Sequence, residues 1–138
     1  MTGAGLPSYV LGSYAILAWL QAEPGGETVA DLLKRAKNGE IVLSICVVNL
    51  GEVLYIIERE ESVRAAHVVL ATIDELPVEQ VNATRDVTLQ AAHYKALYRM
   101  SYSDCFAMSL ARQKGATLVT GDPEFQTQDE VDLLWIGR

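Results

Sequence analysis

Asp104, Asp122 and Glu52 are the residues of this sequence best placed to do chemistry together. Asp104 lies in SYSDCFAMSLARQ, which reads as a helix capped by Ser101 or Ser103. A carboxylate in that first turn suits the helix dipole. Phe106, Ala107, Leu110 and Ala111 give the helix an apolar stripe, and Gly115 ends it. Residues 117–120 then read as a short, β-branched strand that runs into Asp122. A helix of about 11 residues spans about 16 Å, and a strand of about 4–5 residues covers about 15 Å. Packed back on that strand, the helix begins where the strand ends. Asp104 and Asp122 therefore fall at one edge, although they are far apart in sequence. Glu52 occupies the opening turns of the helix after the apolar strand 41–46, so it starts from the same edge.

Carboxylates a few ångströms apart repel one another, and such a cluster persists only with shared protons or bound cations. Hard oxygen donors suit Mg²⁺ or Mn²⁺. An ion of that kind can activate water and polarise a phosphodiester oxygen. Other acids are weaker candidates. Glu58, Glu60 and Glu61 form a charge run that reads as a solvated face. Glu124 lies near the cluster in a polar loop and is given a minor role at most.

The positioning elements alternate along the chain. A strand at 8–11 ends at Gly12-Ser13, with Ser13 as N-cap of a helix over 14–21. Pro24-Gly25-Gly26 breaks that helix, and a second runs over 27–37. The strand at 41–46 is apolar throughout, as expected of a strand buried on both faces. The helix over 47–59 is apolar nearly all round, which predicts a second buried face supplied by another helix or another subunit. A helix over 61–75, a strand at 78–81 and a helix capped by Thr84 reaching Tyr98 follow. After the Asp104 helix and its strand come a polar loop at 123–130 and a last strand at 133–136. The expected fold is a three-layer α/β/α sandwich around a mostly parallel five-stranded sheet, with sites at the carboxyl ends of the strands. Residues 1–138 read as one domain, the first seven as a flexible lead-in.

Bulk properties narrow the function. Half the residues are hydrophobic, so a core is affordable and disorder is excluded. The net charge of −7 repels bare phosphate, so a nucleic acid would need local basic groups or bound cations. Cys46 and Cys105 form no C-x-x-C pair and read as buried thiols of a cytoplasmic protein. The two histidines, His67 and His93, have no metal-ligand spacing, which argues against zinc. The apolar stretch 9–20 is too short to span a bilayer, and no basic residue precedes it; no membrane association is expected.

The motifs SYVLGSYAILAWL followed by EPG, VVNLGEVLY, SYSDCFAMSLA and LVTGDPEF stand in order from Tyr9 to Trp135. In this the chain resembles PIN-domain ribonucleases, close to the VapC toxins of toxin–antitoxin pairs. The resemblance implies a metal-dependent endoribonuclease, using Mg²⁺ or Mn²⁺, that hydrolyses RNA. It also implies a homodimer and a cognate antitoxin peptide covering a groove near the first helices. The family's four acidic positions fall on Gly12, Glu52, Asp104 and Asp122. Thr120 matches a hydroxyl that supports the metal site, Asn49 opens the N-x-x-E element, and Ser13 adjoins the first acidic position.

Gly12 is the departure. It reads either as a turn glycine in a natural pseudoenzyme, or as a deliberate Asp-to-Gly replacement that lets a toxin be expressed. The second is favoured because every other motif position is intact. On either reading, metal binding and cleavage are impaired. Two rivals stand beside this: a noncatalytic PIN-like module that binds RNA or scaffolds a complex, and a nucleotide binder using Gly3–Gly5. The latter is weak because phosphate-binding loops follow the first strand. Trp19 and Trp135 read as core, and Cys105 as a small core residue with no basic partner. Lys34, Arg35, Lys37, Lys95, Arg99, Arg112 and Lys114 read as helix-surface charges that could assist in holding RNA.

Overall fold

The computed structural model describes residues 5–138; Gly3 and the rest of 1–4 lie outside the described residues. Five strands, β1 (Ser8–Leu11), β2 (Val42–Cys46), β3 (Glu79–Val81), β4 (Thr117–Thr120) and β5 (Leu133–Trp135), form one sheet in the order β3-β2-β1-β4-β5. Every pairing is parallel. Six helices cover it: α1 (Ser13–Leu20), α2 (Gly26–Lys37), α3 (Val47–Glu60), α4 (Val63–Asp74), α5 (Arg85–Leu97) and α6 (Tyr102–Lys114).

Successive strand residues alternate between two cores. Leu11, Leu43, Ile45 and Val119 pack with α1 to α4, where Ile16, Val29, Val53 and Ile73 are buried. Val10, Cys46 and Leu118 pack on the other side with α5 and α6, against Val87, Tyr94 and Met108. A parallel sheet covered on both faces accounts for the buried apolar residues of β1, β2 and β4; Ser44 breaks the apolar run expected of 41–46, as a buried hydroxyl with no partner among the described residues. The layers are α/β/α, as the alternation of elements implied.

The apolar excess on α3 is largely absorbed within the chain. Leu50, Val53 and Ile57 enter one core, Val48 packs on the other, and α1, α4 and α6 flank the helix. Tyr55 remains half exposed, beneath the Arg59 guanidinium at 5.1 Å.

Two local expectations need correcting. Ser13 is not the cap of α1. Gly12 holds the N-cap position with no side-chain cap, because the Ser13 side chain is buried and turned to Asn49. The loop after Asp122 is not simply polar: Pro123–Thr127 is a 3-10 helix that drives Phe125 into the core. That hydrophobic anchor folds Glu124 back toward the sheet.

The chain reverses around β1. From β1 it moves to β2 on one side, and β4 later joins on the other. The carboxyl ends of β1 and β4 therefore border a topological switch point, where open parallel sheets leave a crevice. Gly12 ends β1 and Asp122 follows β4 at that crevice.

Candidate active site

Helix α6 delivers the first acid. Its residues Asp104 to Ala111 are all buried, so the helix lies inside the molecule and carries its first turn below the surface. Ser101 caps it, accepting from the Asp104 N–H at 3.2 Å. Asp104 is left 8% exposed. The second acid comes from the tight turn after β4. The buried Thr120 hydroxyl accepts from the Asp122 N–H at 3.2 Å, and Asp122 Oδ1 accepts from the Glu124 N–H at 3.0 Å. These two bonds set the turn. They bring carboxylate oxygens of Asp104, Asp122 and Glu124 within 4.8 Å of one another.

Electrostatics make the crowding tangible. Burial, then the negative charges of Asp122 and Glu52, push the Asp104 carboxyl up from the usual range to about 7, against a hydrogen bond from Ser101. A hydrogen bond between the Asp104 and Asp122 carboxyls favours the protonated form further. Glu52, on the second turn of α3, is thus close enough to act on Asp104, while the tightest group is Asp104, Asp122 and Glu124. No cation lies within ion-pair distance of these four among the described residues.

Asn49 braces the site from below. Fully buried at the start of α3, its amide donates to the Ser103 carbonyl at 2.9 Å and to Ser13 Oγ at 3.3 Å. Ser13 in turn donates to the Asn49 carbonyl at 3.4 Å. One side chain therefore ties the segment after Gly12, the helix of Glu52 and the residue before Asp104. Its Oδ1 has no partner among the described residues. The clustered carboxylates themselves are a set of hard oxygen donors in want of positive charge.

The backbone gives no reason for a glycine at position 12. Its φ is −78° and its ψ 171°, ordinary extended values, and a Cβ there would meet only the Val119 carbonyl oxygen, at 3.6 Å. The bend itself therefore does not require a glycine, and a Cβ fits there. Gly25 and Gly26 of the EPG motif do have steric reasons. A Cβ at Gly25 would come 2.4 Å from the Ile136 carbonyl oxygen, and one at Gly26 2.6 Å from that of Ala18.

The remaining sequence candidates disperse. Arg112 pairs with Glu130 at 3.1 Å and Lys114 with Glu79 at 3.3 Å, at the far end of α6. Arg35 meets Glu40 at 3.8 Å. Burial pushes the Cys105 thiol up to about 11, which suits a core residue rather than a nucleophile. Trp19 packs against the core, and both histidines are exposed. Glu124 is exposed, as a polar loop implied, yet its carboxylate lies beside those of Asp104 and Asp122. The signal that could have placed it was Phe125 beside it, whose burial turns an apparent loop into a fixed turn.

A family model described as PIN domain matches residues 9–131. No curated protein matches the sequence. Among solved structures, VapBC2 from Rickettsia felis, bound to a promoter DNA fragment, superposes with a TM-score of 0.73 at 19% identity, over 92% of this chain and 97% of that one. The Mycobacterium tuberculosis toxin VapC20, described as cleaving the sarcin–ricin loop, gives 0.66 at 21% identity, over 86% and 93%. VapBC-1 from nontypeable Haemophilus influenzae gives 0.70 at 16%, over 93% and 97%. The matched span takes in Gly12, Glu52, Asp104 and Asp122, and on it the chain belongs to the PIN-domain family.

Proposed function

We propose that this chain is a VapC-like endoribonuclease toxin in which Gly12 leaves the metal site one carboxylate short. The observation that supports this best is the meeting of acids from three separate segments, α3, α6 and the turn after β4, at the sheet's switch point. Asp104, Asp122 and Glu124, with Glu52 alongside, would hold Mg²⁺ or Mn²⁺. When bound, that ion would supply an activated water and offset the charge of the phosphodiester. The protein's own work is positional. Thr120 fixes the Asp122 turn, Ser101 fixes Asp104, and Asn49 holds three segments in register. Asp104 takes a proton readily, so it can exchange that proton for a cation as pH rises.

The same reading gives the chain a cognate antitoxin. An apolar groove framed by Trp19, Ala30, Leu33, Leu76 and Pro77 lies beside α1 and α2 and fits a peptide; Lys34 and Lys37 border it. Exposed Tyr55 on α3 fits a homodimer contact. No helix among the described residues is long and apolar enough to cross a membrane; a cytoplasmic location follows from the toxin reading alone.

RNA cleavage with and without Mn²⁺, comparing the chain with Gly12→Asp, tests the proposal. Activity is expected in the variant and near background in the parent. Metal-dependent binding of RNA by both proteins with cleavage by neither would favour the noncatalytic module instead.

A further inference from the structure

Resting on the ribonuclease reading, we propose that Tyr14 is a stacking platform for an unpaired base of the RNA beside the acidic site. Tyr14 lies in the first turn of α1, two residues after Gly12, and so rises from the same crevice. Its seat is specific. A Cβ at Gly121 would come 2.4 Å from Tyr14 Cε1 and 2.6 Å from Cζ, so the outer half of the ring rests directly on the Gly121 backbone. Gly121 does not have a positive φ, so its lack of a side chain serves close approach rather than conformation. Gly137 approaches from the other strand: its Cα would be 2.7 Å from the same Cβ. One glycine backbone, itself packed against Gly137, therefore receives the ring, and Gly121 is the residue joining Thr120 to Asp122.

The ring is held but not hidden. Tyr14 keeps 37% of its surface exposed, whereas the core tyrosine Tyr94 keeps 1%. Its hydroxyl has no hydrogen-bond partner among the described residues, unlike that of Tyr98. A fixed aromatic, seated on backbone and still partly open to solvent, is what a splayed-out base stacks on. The chain also needs such a contact. With a net charge of −7 it gains little from long-range attraction to RNA, and affinity must come from short-range terms that salt does not screen.

The test is equilibrium binding of a fluorescein-labelled single-stranded oligoribonucleotide to the full chain in Mn²⁺, at low and high salt. Tyr14→Phe should bind as the parent does. Tyr14→Ala should bind about 5- to 100-fold more weakly, the range for loss of one base-stacking contact, with the same factor at both salt concentrations. Circular dichroism melting checks that the variant folds. If it does not, Tyr14→Leu, which still covers Gly121 but has no π face, stands in with the same expectation. Parent-like affinity in the alanine or leucine variant overturns the proposal while leaving the ribonuclease reading intact. So does an equal loss in the phenylalanine variant, which would make the hydroxyl the contact. The same titration is run in the Gly12→Asp background, where the metal site is complete; RNA bound by neither the parent nor Gly12→Asp overturns the ribonuclease reading, and this inference with it.

Discussion

The two ends of α6 obey the same dipole rule and are otherwise opposites. At its start stands Asp104, and in its last turn stand Arg112 and Lys114, the signs that each helix terminus favours. At the far end both helix cations are answered. Arg112 meets Glu130, Lys114 meets Glu79, and Glu130 also accepts the Tyr98 hydroxyl at 2.7 Å. At the near end Asp104 is answered by Asp122 and Glu52, which repel it. One end is electrically closed, and the other is left open. Protein folding alone gives no reason to bury an acid among acids, and the proposed function accordingly puts the site at the open end and scaffold at the closed one.

The sharpest way to test the contrast is to complete the open end. Gly12→Asp adds one carboxylate to the four already gathered there, at a position that the backbone and the surrounding space accept. Mn²⁺-dependent cleavage should rise by about 100-fold or more, since even outer-shell partners of a metal site are worth about 10–100-fold. In EDTA stability should fall, because the new carboxylate joins acids that already repel one another, and it should recover in Mn²⁺. A folded variant with no gain in either metal affinity or cleavage would mean that position 12 does not belong to the site.

Removing the brace comes next. Asn49→Ala deletes both donated bonds and unties Ser13 and Ser103. The expected loss is about 1–3 kcal/mol by urea denaturation, for a buried polar link. Metal affinity in the Gly12→Asp background should fall with it, because the acids lose their register. A destabilised variant whose metal affinity is unchanged would reduce Asn49 to ordinary core.

A third effect follows from protonation. Asp104 holds its proton more tightly when folded, up to about 7, than when unfolded. Its contribution to stability is therefore full below the unfolded value, near pH 4, and is lost as pH rises through about 7. In EDTA the chain should melt at a lower temperature at pH 8 than at pH 5.5, and Asp104→Asn should flatten that slope. Mn²⁺ binding by Gly12→Asp should strengthen over the same interval, as the competing proton leaves. A slope identical in parent and Asp104→Asn would remove Asp104 from this account.

What the sequence disclosed and what it hid separate along physical lines. Strands β1, β2 and β4, the Ser101 and Thr84 caps and the Gly115 stop rest on short-range pattern, and the structure has them within a residue. The meeting of Asp104 and Asp122 needed only two element lengths and an antiparallel packing rule. Three features needed the fold itself. Ser13 looked like a cap, but a partner 36 residues away captures it. Glu124 is solvated as expected, but the turn that brings it beside Asp122 depends on burial of Phe125, which the sequence did not show. Tyr14 carried no local signal, because Gly121, which receives it, belongs to a different strand end. Local pattern cannot report which distant backbone has been cleared to admit a side chain.

The smallest effect belongs at the closed end, and it is the control for all the others. The Arg112 side chain is 58% exposed and that of Glu130 23%, so their pair is screened and worth about 0–1 kcal/mol. Glu130→Gln keeps the size of the side chain and weakens both the ion pair and the bond from Tyr98, whose hydroxyl that bond and partial burial now hold at about 12. The melting temperature should drop by no more than a few degrees, which for a chain of this size is about 1 kcal/mol. The Tyr98 hydroxyl should move back toward its ordinary range, visible by ultraviolet titration. Mn²⁺ affinity and RNA binding should not change, because the paired charges lie a full helix length from Asp104. If Glu130→Gln weakened metal binding as Asn49→Ala is expected to, the two ends of α6 would be one coupled system, and the division between open and closed ends would not hold.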